Sequence, residues 1–228
     1  MKGPECSGAV CNPPFLAVRR SLGRACGAEG VRIGFLRLRD AGTGGGTARP
    51  RALGREDRQR ASRALLRRLL SRAGGGRFPH AAWTLTRGAT GRIEASGPLD
   101  GVEVSLAYAG EVVVAAVAVR RRLGIDLEAP EEWSAPDRPD DLLSAHERVL
   151  VHAEPGRFFT VWTLKEALAK ERGIGLIDGA AHLDTARLAL APPGRMLGRE
   201  DGGLALHAGF RLAGRDYQLA IALGPRWA

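Results

Sequence analysis

Leu123-Gly124-Ile125-Asp126-Leu127-Glu128 alternates apolar and acidic residues after a glycine. On a strand, residues two apart point to the same face. Ile125 and Leu127 therefore turn into a core, while Asp126 and Glu128 project together from the other side. Upstream, a basic turn at Arg120 to Arg122 follows Val112 to Val119, a continuous apolar run suited to a buried strand. Before it, Val102, Val104 and Leu106 alternate with Glu103 and Ser105, and Gly110 turns the chain. Further out, Val31 to Arg39 reads as a strand and Trp83 to Thr86 as a short one. Arg55 to Arg72 predicts a helix with Ala61, Leu65, Leu66, Leu69 and Leu70 as its apolar stripe, ended by Gly74 to Gly76. Downstream, beyond a Pro-rich loop, Asp140 to His152 and Phe158 to Arg172 predict two helices, the second ended by Gly173. Leu204 to Leu212 and Tyr217 to Leu223, separated by Gly214-Arg215-Asp216, predict a closing hairpin.

Strands and helices mix without regular βα alternation, so the class is α+β. A strand, a helix and further strands recur in each part of the chain. The expected organisation is an N-terminal half over 31–118 and a C-terminal half over 119–228. Residues 1–30, rich in Gly, Pro, Cys and Ala, read as a disordered leader or a misassigned start, and 41–48 as a flexible linker.

The 228 residues provide ample apolar material for a core, and 44% hydrophobic with 26% charged content excludes wholesale disorder. Cys6, Cys11 and Cys26 form no disulfide framework and no four-ligand zinc site. No apolar run is long enough to span a bilayer and no secretory signal is evident, so a cytoplasmic protein is expected. Of 34 basic residues, all but Lys2, Lys165 and Lys170 are arginine, and the net charge is +9. That field favours an anionic substrate or an acidic protein partner. No aromatic platform or reading motif accompanies the arginine-studded helix, so nucleic acid is not the expected partner. P-loop, G-x-S-x-G and G-x-G-x-x-G elements are absent from strand-to-helix contexts, and the five histidines have no metal-ligand spacing.

Two carboxylates side by side repel unless a cation sits between them, and hard oxygen donors suit Mg²⁺. Asp126 and Glu128 equally fit two solvated acids at a strand end. In Trp162-Thr163-Leu164-Lys165-Glu166-Ala167-Leu168-Ala169-Lys170, helical spacing stacks Trp162, Glu166 and Lys170 on one face. Taken alone, that also fits a packing aromatic followed by a surface ion pair.

Together, Gly124-Ile125-Asp126-Leu127-Glu128 and Trp162-x-x-Lys165-Glu166-Ala167-x-x-Lys170 resemble the signature pair of the 4′-phosphopantetheinyl transferases, and the length resembles their pseudodimeric, Sfp-type branch. Ser144 and Glu147 sit where that family has F-S-x-x-E, with Leu143 in place of Phe. Ser62 to Arg67 resembles its N-terminal arginine helix, and Gly91-Arg92 the start of its G-[RK]-P element. The resemblance implies two pseudo-symmetric halves, each a small antiparallel sheet packed with a long helix, and an active site in the cleft between them. It implies Mg²⁺ (or Mn²⁺) on Asp126, Glu128 and Glu166, with coenzyme A as co-substrate. Glu166 would accept the proton of a serine on an acidic acyl or peptidyl carrier protein, as in secondary metabolite biosynthesis. Lys170 and Lys165 would neutralise phosphate charge. Arg63, Arg92 and Tyr108 would hold the coenzyme, and the enzyme would act as a monomer.

Several positions depart, among them Ile93, which replaces the proline of the G-[RK]-P element. Where the family has a phosphate-contacting Ser-His-Ser, this chain has Ala107-Tyr108-Ala109, so a phenol replaces an imidazole and two hydroxyls are lost. Two alternatives follow from that change: an enzyme acting on an acyl group already tethered to a carrier, and a non-catalytic carrier-binding module.

Overall fold

The structure is a computed structural model in which residues 15–38, 54–88, 91–133, 139–175 and 182–227 are described. Each half is built on the same plan. In the first, β1 (Arg32–Arg37) leads to α2 (Arg55–Ala73), the hairpin β2 (Thr84–Arg87) and β3 (Ile93–Ser96), then β4 (Val102–Ala109) and β5 (Val112–Val119). In the second, β6 (Arg121–Glu128) leads through α3 (Ala145–Ala153) to α4 (Phe158–Arg172), the short α5 (Ala186–Ala189) and β7 (Leu197–Gly198), then β8 (Leu204–Leu212) and β9 (Arg215–Arg226). The antiparallel sheets run β1-β5-β4 and β6-β9-β8-β7. In both, the first strand pairs with the last, and the last with the one before it. A single turn residue, Arg120, at φ 55°, separates the halves.

One core lies between the sheets. Val112, Val114 and Ala116 of β5 meet Leu123, Ile125 and Leu127 of β6, with Leu219 and Ile221 of β9 and Phe210 of β8. The opposite faces are covered separately. Leu66, Leu69 and Leu70 of α2 pack on Ala115 and Val117, while α4 packs Leu164, Ala167 and Leu168 against Ala220 and Ala222. Burying the apolar stripe of each helix is what fixes it to its sheet; each fully buried leucine contributes on the order of 1.5–3 kcal/mol. Among the described residues, no helix is long and apolar enough to cross a membrane.

The expectation of a structureless leader is corrected for residues 15–28, which form α1 (Phe15–Ala28). Leu22 and Cys26 are completely buried, and Phe15 meets Phe35 edge-on at 5.2 Å and Phe210 at 5.4 Å. Phe15, Val18, Leu22, Ala25 and Cys26 follow helical spacing, but Gly23, Gly27 and intervening arginines obscure it. Burial under β1 and β8 supplies what intrinsic propensity does not. Cys6, Cys11 and the 41–48 linker lie outside the described residues. Arg121 and Arg122, expected in a turn, are the first residues of β6, and the hairpin partner β3 and the short β7 add to the expected strands.

Candidate active site

Gly124 sets the geometry. A Cβ there would lie 2.0 Å from the carbonyl oxygen of Ala167 and 2.5 Å from the nitrogen of Glu171, so β6 and α4 touch backbone to backbone. The close approach carries Asp126 and Glu128 under the face of α4 that bears Trp162, Glu166 and Lys170. Trp162 anchors that face, its ring 5.7 Å from Trp133 and stacked on Phe158 at 6.1 Å. Further along the helix, Lys170 Nζ donates to Asp126 Oδ1 at 2.6 Å and lies 3.8 Å from Glu166 Oε2. Trp133 Nε1 donates to Glu128 Oε2 at 2.8 Å. Gly173, at φ 71°, ends α4 in the left-handed conformation.

Three carboxylates so close perturb one another. Burial, then the neighbouring Asp126 charge, pushes Glu128 up to about 7. Burial raises Glu166 as well, against the opposing charge of Lys170. Burial alone would lower Lys170, but Asp126 first and then Glu166 more than offset it, and the ammonium is held above its ordinary range. Asp126 Oδ2 is buried and has no hydrogen-bond partner among the described residues. An orphaned carboxylate oxygen beside two acids whose charged forms are disfavoured fits a hard divalent cation. Among the described residues no three such side chains close into a cage. A Mg²⁺ ion needs none, since it keeps several waters and takes one or two carboxylates plus substrate phosphate.

The other wall of the site comes from the first half. A cleft of ≈ 640 Å³ is lined by Ser62 and Arg63 of α2, Tyr108 of β4, Arg92 beside β3, and Glu166 and Lys170 of α4. Arg92 Nη2 donates to the carbonyl of Leu123 at 3.0 Å, fixing the hairpin to the start of β6. Tyr108 Oη donates to Ser62 Oγ at 2.7 Å, and Ser62 in turn donates to the carbonyl of Gln59 at 3.0 Å. The phenol proton considered for a ligand is thus spent on α2, although the ring stays 43% exposed in the cleft.

Lys165 requires a correction. It is completely buried, its Nζ donates to Glu147 Oε2 at 2.6 Å and to the carbonyl of Leu183, and it does not line the cleft. At 3.6 residues per turn it lies about 140° around the helix from Lys170, so the two lysines cannot serve one ligand. Its partner Glu147 also accepts from Thr185 N at 2.7 Å, Thr185 Oγ1 at 2.8 Å and Ser144 N at 2.7 Å. Ser144 and Glu147 form a reciprocal capping box at the start of α3. The S-x-x-E spacing is a legible capping signal, but the bond to Lys165 and Thr185 has none in the sequence. Ser105, likewise not singled out, accepts from the Ile125 N–H at 3.0 Å and joins β4 to β6 across the seam of the halves.

Residues 122–222 match the family model described as the 4′-phosphopantetheinyl transferase superfamily. This segment is a 4′-phosphopantetheinyl transferase superfamily domain. No curated protein matches the chain. The transferase segment runs from the second residue of β6 into β9 and contains Asp126, Glu128, Glu166 and Lys170. Arg63, Arg92 and Tyr108 lie outside it, on the wall supplied by the first half.

Proposed function

We propose that the protein transfers the 4′-phosphopantetheine arm of coenzyme A to a serine of an acyl or peptidyl carrier protein, releasing 3′,5′-ADP. The observation that carries this reading is the convergence of Asp126, Glu128, Glu166 and Lys170 where β6 meets α4, with Glu166 and Lys170 lining a cleft whose other side is arginine-rich. The doubled plan of the fold supports the pseudodimeric, Sfp-type branch. Asp126, Glu128 and Glu166 would hold Mg²⁺, which when bound supplies charge neutralisation at the pyrophosphate. Lys170 would offset charge growing on the leaving phosphate, the main demand of phosphoryl transfer. Glu166, with its proton affinity raised by burial, accepts the serine hydroxyl proton. The serine oxygen bonds to the β-phosphorus, the bond from that phosphorus to the bridging oxygen breaks, and the electron pair leaves with 3′,5′-ADP. Arg63 and Arg92 hold the nucleotide's phosphates. The +9 surface favours the acidic face of a carrier.

Intact-protein mass spectrometry of apo carrier proteins incubated with the enzyme, coenzyme A and Mg²⁺ tests this. A phosphopantetheine mass increase is expected, abolished by chelator and by Glu166→Ala in a folded sample. No increase on any apo carrier, combined with turnover of acyl-loaded holo carrier, would replace this reading with the tethered-acyl alternative.

A further inference from the structure

The protein's excess positive charge is confined to one stretch of the chain. Residues 58–93 contain nine arginines and no aspartate or glutamate, whereas the rest of the chain balances 25 basic side chains against all 25 acidic ones. The whole net charge of +9 therefore belongs to the segment running from α2 through β2 to the start of β3. Arg63, Arg87 and Arg92 of this segment line the cleft. Arg67 donates to the carbonyl of Trp83 at 3.3 Å and Arg77 to that of Gly74 at 3.3 Å. A separate set faces away from all of these. Arg60, Ala64, Arg68 and Arg72 follow one another at four-residue steps along α2, opposite the buried Leu66, Leu69 and Leu70, and all four are exposed. Arg60 pairs with Asp57 at 3.1 Å. Arg68 and Arg72 have no carboxylate within ion-pair distance among the described residues. Like charges one turn apart weaken a helix, and an acidic partner would remove that repulsion.

We propose that this outer face of α2 docks an acidic helix of a protein partner, one whose carboxylates recur at every fourth residue. At 1.5 Å per residue the arginine row is about 18 Å long with a step of about 6 Å, and helical carboxylates four residues apart repeat at the same step. The planar guanidinium takes a carboxylate through two parallel hydrogen bonds, which fixes the register. Between the arginines the face presents only Ala64. It has no aromatic ring on which bases would stack and no bulky apolar side chain to enter a bilayer, so charge pairing with a protein helix fits it better than a nucleic acid or a membrane. Arg68 and Arg72 lie about 140° and 180° around α2 from Arg63 and do not line the cleft. A partner seated on the row leaves the cleft open, and the docking face is independent of what the cleft binds.

Fluorescence anisotropy with a labelled, stapled helical peptide carrying glutamate at every fourth position tests it on the full chain at low salt. The wild type should bind the peptide and lose affinity as salt rises. Arg68→Glu/Arg72→Glu should weaken binding by about tenfold or more, the worth of one charge-assisted contact, at an unchanged melting temperature. Arg68→Gln/Arg72→Gln removes the charges without reversing them and should weaken it too, which reads the same face should the reversal unfold α2. Arg19→Glu/Arg20→Glu, the same change of net charge on the exposed side of α1, should keep the wild-type affinity. A peptide of equal composition with its glutamates spread around the helix should bind more weakly. Equal loss in the α1 variant, or equal binding of the two peptides, would reduce the effect to net charge and overturn the assignment. So would a wild type that binds neither peptide, or an Arg63→Ala protein that loses as much as the double reversal, which would put the peptide in the cleft. A mixed-sequence DNA duplex held more tightly than the peptide by the same arginines would overturn it in favour of a nucleic-acid face.

Discussion

Replacing Lys165 with methionine separates a structural lysine from a catalytic one. The Lys165–Glu147 pair has no solvent exposure on either side chain, and Nζ also satisfies the carbonyl of Leu183. Lys165→Met keeps the length of the stem but leaves Glu147 as a buried carboxylate facing an apolar chain. Removing one partner of a buried pair costs about 3–5 kcal/mol. The three donors that remain on Glu147, from Ser144 and Thr185, place the expected loss toward the lower end. At roughly 2–4 °C per kcal/mol for a chain of this size, the melting temperature should fall by about 6–12 °C. In Lys165→Met/Glu147→Gln the buried charge is gone while an acceptor for Thr185 remains, so about half of the loss should return. Urea denaturation of the single and double variants measures the coupling, and transfer by the folded fraction is read alongside. A Lys165→Met protein with wild-type stability and no transfer would refute this reasoning and return Lys165 to the phosphates.

Gly124→Ala should force α4 off β6, because its Cβ would overlap backbone atoms of Ala167 and Glu171. A loss of roughly 1–3 kcal/mol in denaturant, together with weaker Mn²⁺ binding as the acids separate, is expected; an unperturbed variant would contradict the close approach. Ser105→Ala removes the acceptor of the buried Ile125 N–H at the seam of the halves, and a loss of about 1–3 kcal/mol is expected by the same assay. His207 is buried, its Nε2 facing the Ala191 carbonyl at 2.9 Å, and burial holds its pKa below the ordinary 6.5. A histidine depressed in the folded state binds its proton more readily when unfolded. Its contribution is therefore complete above about pH 6.5 and is lost as the pH falls through and below that value. His207→Gln should show a smaller drop in urea stability between pH 7 and pH 5 than the wild type; an identical drop would clear His207 of the effect.

Much of the fold was legible because it rests on local periodicity. Val112 to Val119 is one apolar run, and β5 occupies those residues. The leucine stripe of α2 and the glycines that follow it read as a helix and its end, and Gly173 ends α4 as its type suggests. The placement of Asp126, Glu166 and Lys170 could be anticipated for the same reason, since periods of 2 and 3.6 dictate which residues share a face. α1 escaped because its stripe relies on Ala and Cys and is interrupted by glycines, and only a tertiary partner makes it helical. Arg87 was lost among thirty other arginines, since nothing local distinguishes a guanidinium in a cleft from one in water.

The sequence by itself therefore determined most of the elements, the α+β class and the acidic and basic residues that share a face. Only the tertiary structure decided the fate of each charge. Lys165 and Lys170 are five residues apart on one helix and chemically identical. One faces α3 and is sealed against Glu147, while the other faces β6 and the cleft. Tyr108 was likewise settled by Ser62, 46 positions away, and Ile125 by Ser105, 20 positions away. Local pattern fixes the direction of a side chain relative to its own element; what lies in that direction depends on how the two halves close on each other, through contacts between residues far apart in the chain.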